Sequence, residues 1–151
     1  MAEDARFMRL AIELALPRVG LTGDNPAVGC IIVQGDEIVG RAATAEGGRP
    51  HAEEQALDQA GDAARGAVAY VTLEPCGARS SGAASCAERL IAAGIGRVVV
   101  ACNDPSTLAS GRGGERLAAA GALVETGVLA DEATALYGDY FSRLATKRGA
   151  G

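Results

Sequence analysis

The stretch "AVAYVTLEPC", Ala67 to Cys76, decides the fold. It opens with "AVAYVTL", an apolar run that reads as a short buried strand, and "EPC" follows directly after it. A loop of small and polar residues, "GARSSGAAS", follows. Then comes "CAERLIAAGIG", which reads as a helix stopped by Gly94, and "RVVVAC", again a buried strand. The rhythm repeats downstream. "GGERLAAAG" reads as a helix, "ALVETGV" as a short strand and "DEATALYGDYFSRLATK" as a terminal helix.

Upstream, "HAEEQALDQAG" is a helix with Ala52, Ala56 and Leu57 turned inward. "VGCIIVQGDEIVGRA" is a hairpin about Gly35-Asp36, flanked by β-branched runs. From Glu3 to Val19, Phe7, Leu10, Ala11, Leu14 and Ala15 recur at helical spacing, and Pro17 and Gly20 help end that helix. Strands alternating with helices predict an α/β layered domain, with largely parallel pairing after the opening hairpin. With no internal repeat and no linker, residues 1–151 read as a single domain.

Composition narrows the function. Apolar residues make up 48% and charged residues 22%, which suits a folded, soluble chain. Aromatics are only 3%, so Ala, Val, Leu and Ile must build the core. The net charge is −5 and basic residues form no run beyond "TKRGAG", so no nucleic-acid partner is expected. No apolar run is long enough to cross a bilayer, and "MAEDARFMRL" lacks a signal-peptide pattern. The expectation is a cytoplasmic protein with no membrane partner. In that setting four cysteines point to metal binding, catalysis or burial rather than disulfides.

The chain has one histidine, His51, within "GGRPHAEEQAL". His51, Cys76 and Cys86 together supply one nitrogen and two sulfurs. A catalytic zinc with an open position for water takes such a set. His51 begins one helix, while Cys76 and Cys86 bracket a loop leading into another. In a layered α/β domain such helix starts meet at one edge of the sheet, where active sites concentrate. Glu53 lies two residues after His51, too close to share the same ligand role on one helix face. A carboxylate beside a metal site can instead accept and pass on a proton. Glu54 and Asp58 read as solvated helix carboxylates. Cys30 and Cys102, within strand patterns, read as small core residues.

"HAE…PC" matches the first two parts of the zinc-deaminase signature H-x-E…P-C-x-x-C. The chain resembles the cytidine deaminase-like superfamily, and most nearly the deaminase domains of riboflavin biosynthesis. "MRLAIELA", "NPAVGCIIV", "GRPHAEEQAL", "ARGAVAYVTLEPC", "CAERLIAAGIGRVVVACNDP" and "GRGGERLAAAGALVETGVL" carry the resemblance across nearly the whole chain. It implies a three-layer α/β/α sandwich with a mixed, largely parallel five-stranded sheet. It implies zinc at His51, Cys76 and Cys86, Glu53 as proton shuttle, and hydrolytic loss of ammonia from an aminopyrimidine, diaminohydroxyphosphoribosylaminopyrimidine. Asn25 and Asp104 would line the substrate pocket. A homo-oligomer, a dimer or a larger assembly, is implied.

Departures from the family fall around the substrate. Nine residues separate Cys76 and Cys86, one more than usual, and the loop lacks the family's histidine, threonine and proline. Thr44 stands where the family has a histidine, and "DPST" replaces "DPNP". Arg79, in the altered loop, is a candidate for a substrate phosphate. Guanine, cytosine, a nucleoside or a pterin-like ring are therefore alternative substrates, and a non-catalytic zinc-binding domain is a further reading. The family often carries a C-terminal reductase domain, so the chain reads either as a monofunctional deaminase or as a fragment.

Overall fold

The structure is a computed structural model that describes residues 2–23, 26–75, 86–102, 112–138 and 142. Nine elements bear on the site: α1 (Ala2–Ala15), β1 (Gly29–Gln34), β2 (Glu37–Ala43), α2 (Ala52–Ala60), β3 (Val68–Leu73), α3 (Cys86–Ala92), β4 (Arg97–Cys102), α4 (Arg112–Ala119) and β5 (Leu123–Thr126). A further helical segment covers 130–138. The strands form one five-stranded sheet in the order β2-β1-β3-β4-β5. β1 pairs antiparallel with both β2 and β3, whereas β3–β4 and β4–β5 are parallel. The sheet is mixed, as expected, with its parallel half built from the βαβ repeats that follow β3.

Register shows how the layers form. Gly40 is opposite Ile32, and Gly29 lies three residues from Ile32, so Gly29 and Gly40 point to opposite faces. Each glycine admits one helix. A Cβ at Gly29 would stand 1.9 Å from the Ala11 carbonyl oxygen of α1, and one at Gly40 would stand 2.3 Å from that of Ala56 in α2. Neither contact allows a side chain, so α1 and α2 lie on opposite faces at the closest approach backbones permit. Segment 130–138 joins the α1 layer through Tyr137, whose hydroxyl meets Thr72 Oγ1, and through Arg9–Glu132. An ion pair between Arg89 and Glu54 ties α3 to the α2 layer.

The buried stripe of α1 is Phe7, Met8, Ala11, Ile12 and Ala15, while Leu10 and Leu14 are only partly buried. The stripe is thus rotated from the one read off the sequence. Two contacts seat the helix: Ala11 lies on Gly29, and Phe7 packs on Tyr70 with ring centroids 5.3 Å apart. Asp4 fixes the start of the same helix. It accepts from Tyr70 Oη at 2.7 Å and from Arg97 Nη2 at 2.6 Å, and Arg97 also reaches Glu125 at 2.6 Å. α1 ends at Ala15 and passes into a 3-10 turn, Leu16–Arg18, that contains Pro17.

α2 does more than cover a face. Gln59 Oε1 accepts the Arg41 N–H at 2.8 Å, and Gln55 Nε2 donates to the Ala43 carbonyl at 2.7 Å. The Thr44 N–H bonds Val28, so alternation turns the Arg41 and Ala43 groups toward the open edge of β2. The two glutamines therefore occupy backbone groups that an edge strand otherwise leaves to other chains.

Candidate metal centre and active site

His51 is the N-cap of α2, with extended backbone at φ −70° and ψ 158°. Cys86 is the first residue of α3 and is buried. The two come together as the sequence predicts: His51 Nδ1 lies 3.3 Å from Cys86 Sγ. A tetrahedral zinc with ordinary bond lengths to nitrogen and sulfur holds such atoms about 3.6 Å apart. The donor chemistry and the spacing both fit that ion. Cys76 falls outside the described residues, as do Asn25, Arg79 and Asp104.

Glu53 is 4% exposed on the same turn of α2. Its face of the sheet is that of Gly40 and Ile32, which Cys30 shares by alternation. Burial, and after it the Glu53 charge, push the Cys30 thiol well above the ordinary thiol range. Cys30 is thus a neutral, fully buried floor near the carboxylate, in keeping with its reading as core. Cys102 is likewise pushed up, chiefly by burial, and sits against Ala130 and Thr134.

Thr44 is 1% exposed. Its hydroxyl accepts the Val28 N–H at 2.9 Å and donates to the Pro26 carbonyl at 3.3 Å. The side chain braces the backbone just after Asn25 rather than presenting a surface of its own.

Two acidic residues in this region were not read as functional from the sequence. Glu74, 5% exposed, directly follows the strand β3 on the way to Cys76, and its Oε2 accepts the Gly114 N–H of α4 at 3.3 Å. Its place beside Pro75-Cys76 was the available signal. Glu54, expected to be solvated, is only 13% exposed and makes an ion pair with Arg89 at 3.2 Å. Its other oxygen accepts the His51 N–H at 2.8 Å. The spacing His51-x-x-Glu54 could have shown the second contact, since a glutamate three residues after an N-cap commonly bonds back.

The chain is similar to several known proteins along most of its length. The riboflavin biosynthesis protein RibD of Aquifex aeolicus is 45% identical over 145 residues, covering 96% of this chain and 40% of that protein. The chain therefore spans about two fifths of the length of that relative. A diaminohydroxyphosphoribosylamino-pyrimidine deaminase of Buchnera aphidicola is 41% identical, over 95% of this chain and 97% of its own length. Among solved structures, Acinetobacter baumannii RibD superposes with a TM-score of 0.90 at 44% identity, covering 96% of this chain and 41% of that one. Residues 1–102 match the family described as the cytidine and deoxycytidylate deaminase zinc-binding region, and the chain belongs to that zinc-dependent deaminase family.

Proposed function

We propose that this chain is a hydrolytic deaminase that replaces the ring amino group of diaminohydroxyphosphoribosylaminopyrimidine with oxygen and releases ammonia. The observation that carries the reading is the 3.3 Å approach of His51 Nδ1 to Cys86 Sγ, with Glu53 buried on the same turn of α2. The Buchnera relative, matched along nearly its full length, supports the substrate.

His51, Cys76 and Cys86 would hold the zinc and leave its fourth position open. Bound zinc supplies a positive charge that makes water acidic near neutral pH. Glu53 takes a proton from the attacking water on its carboxylate oxygen. It delivers that proton to a ring nitrogen of the pyrimidine. It then carries the second water proton to the amino group, and the carbon–nitrogen bond breaks to free ammonia. Burial of Glu53 keeps the proton within the site between these steps. Asn25 and Asp104 would hold the ring, and Arg79 the phosphate. Thr44 acts on the substrate through the 26–28 backbone that it braces.

Among the described residues, Cys30, Cys86 and Cys102 form no disulfide, in keeping with a cytoplasmic enzyme. A small-molecule substrate suits the acidic balance of the chain better than a polyanion does. The homo-oligomer implied by the family would appear in sedimentation at micromolar concentration.

The test is ammonia release by the zinc-loaded protein on the aminopyrimidine ribosyl phosphate, with Glu53→Ala as control. Release that the control lacks supports the reading. The replacement of a family histidine by Thr44, which is turned to the 26–28 backbone, motivates a second reading. Zinc-loaded protein that is silent on this substrate but active on guanine, cytosine or a pterin would establish that alternative.

A further inference from the structure

His51 and Cys86 belong to different helices, so their distance is not set within either one. Something must hold the two helix starts together. Three residues along α2 from His51 stands Glu54, and three residues along α3 from Cys86 stands Arg89. Residues three apart lie on one helix face, one turn deeper. Glu54 Oε1 meets Arg89 Nε at 3.2 Å, directly behind the His51–Cys86 approach. Glu54 Oε2 simultaneously takes the His51 backbone N–H at 2.8 Å. One carboxylate thus fixes both the backbone that aims the imidazole and the helix that carries the thiol. Its 13% exposure makes the contact far less solvated than the ion pair Arg9–Glu132, whose side chains are 52% and 50% exposed.

We propose that Glu54 and Arg89 are positioning residues that set the spacing of His51 and Cys86 and thereby the affinity for zinc, without touching the metal. The inference rests on the ligand assignment made above. Groups that support metal ligands typically change affinity by about 10- to 100-fold when removed. Glu54, directly after Glu53, reaches the His51 backbone and α3.

Zinc affinity is measured on the full chain by competition with a chelating dye, and the site is read independently from the visible spectrum of the cobalt-loaded protein. Glu54→Ala weakens zinc binding by about tenfold or more and shifts the cobalt spectrum. Glu54→Gln, which can still accept from His51, falls between wild type and Glu54→Ala. Arg89→Ala alone weakens binding, and adding it to Glu54→Ala causes no further loss, as a shared contact requires. Glu132→Ala, at the exposed pair on the opposite face, leaves the affinity unchanged. Arg89 is half-exposed, so its variant keeps the test open even where Glu54→Ala folds poorly. Zinc affinity within twofold of wild type in folded Glu54→Ala and Arg89→Ala overturns the proposal while leaving the ligand assignment intact. A wild-type protein that binds no zinc overturns both.

Discussion

Gly40 runs directly beneath Ala56, so close that a Cβ would stand 2.3 Å from the Ala56 carbonyl oxygen. That contact sets the height of α2 above the sheet. His51 and Glu53, at the start of the same helix, inherit their positions from it.

Gly40→Ala should therefore push α2 outward. The expected cost is about 1–3 kcal/mol, the usual penalty for overpacking a tight contact. Urea unfolding would measure it, and zinc affinity should fall in parallel because His51 moves with the helix. Wild-type stability in the variant would show that α2 does not depend on this approach.

Glu53→Gln keeps the shape of the side chain and removes its ability to accept a proton. We expect kcat to fall by about 100-fold or more, the usual range for loss of a general acid–base group, with zinc content unchanged. Ammonia release and metal analysis on one preparation would check both halves. Near-normal turnover in the variant would assign proton transfer to another group.

The Asp4 cluster predicts a pH dependence of stability. The Arg97 guanidinium holds the Asp4 carboxyl below the usual carboxylate range, against an opposing push from burial. A carboxyl depressed in the folded state stabilises the fold above its unfolded value, near about 3.9, and loses that contribution as pH falls through the folded value. Asp4→Asn should thus be less stable than wild type at neutral pH. The gap should narrow in thermal melts taken below about pH 4. Tyr70, which donates to Asp4, is pushed up to about 12, first by burial and then by that bond. Its ultraviolet phenolate band should appear later in an alkaline titration than that of an exposed tyrosine.

Removal of zinc by a chelator should lower the unfolding temperature, and added zinc should restore it. A ligand that binds only the folded state stabilises it by mass action, by about 4 kcal/mol at a thousandfold excess over Kd. Because α2 and α3 each contribute a ligand in the proposed centre, the loss should loosen their starts. An unfolding temperature indifferent to zinc would separate the metal from the fold.

Much of the architecture was legible without coordinates. The Gly35-Asp36 turn lies where the hairpin reading placed it, between β1 and β2. α3 ends at Ala92, just before Gly94, whose φ of +79° suits a residue without a side chain. That His51 and Cys86 approach one another was also legible in outline, although the strands before their helices, β2 and β3, are separated by β1 and share an edge because both run antiparallel to it. The inward face of α1 was not. Leu10 and Leu14 fit the helical period as well as Met8 and Ile12 do, and only packing on the sheet chooses between them.

Glu54 shows where local reading stops. Its sequence neighbourhood, a carboxylate in the first turn of a helix, predicts solvation, and its bond to the His51 N–H is a local one. Its other partner, Arg89, is brought close only when α2 and α3 pack side by side. The same holds for Glu74 and Gly114, and for Thr44 and Val28. Residue type, period and turn chemistry act over a few positions, so the sequence alone determined the order of elements and the layered class, and it named the candidate donors. Packing decided which faces close on one another and therefore every distance between those donors, because such distances depend on how separate helices seat on one sheet.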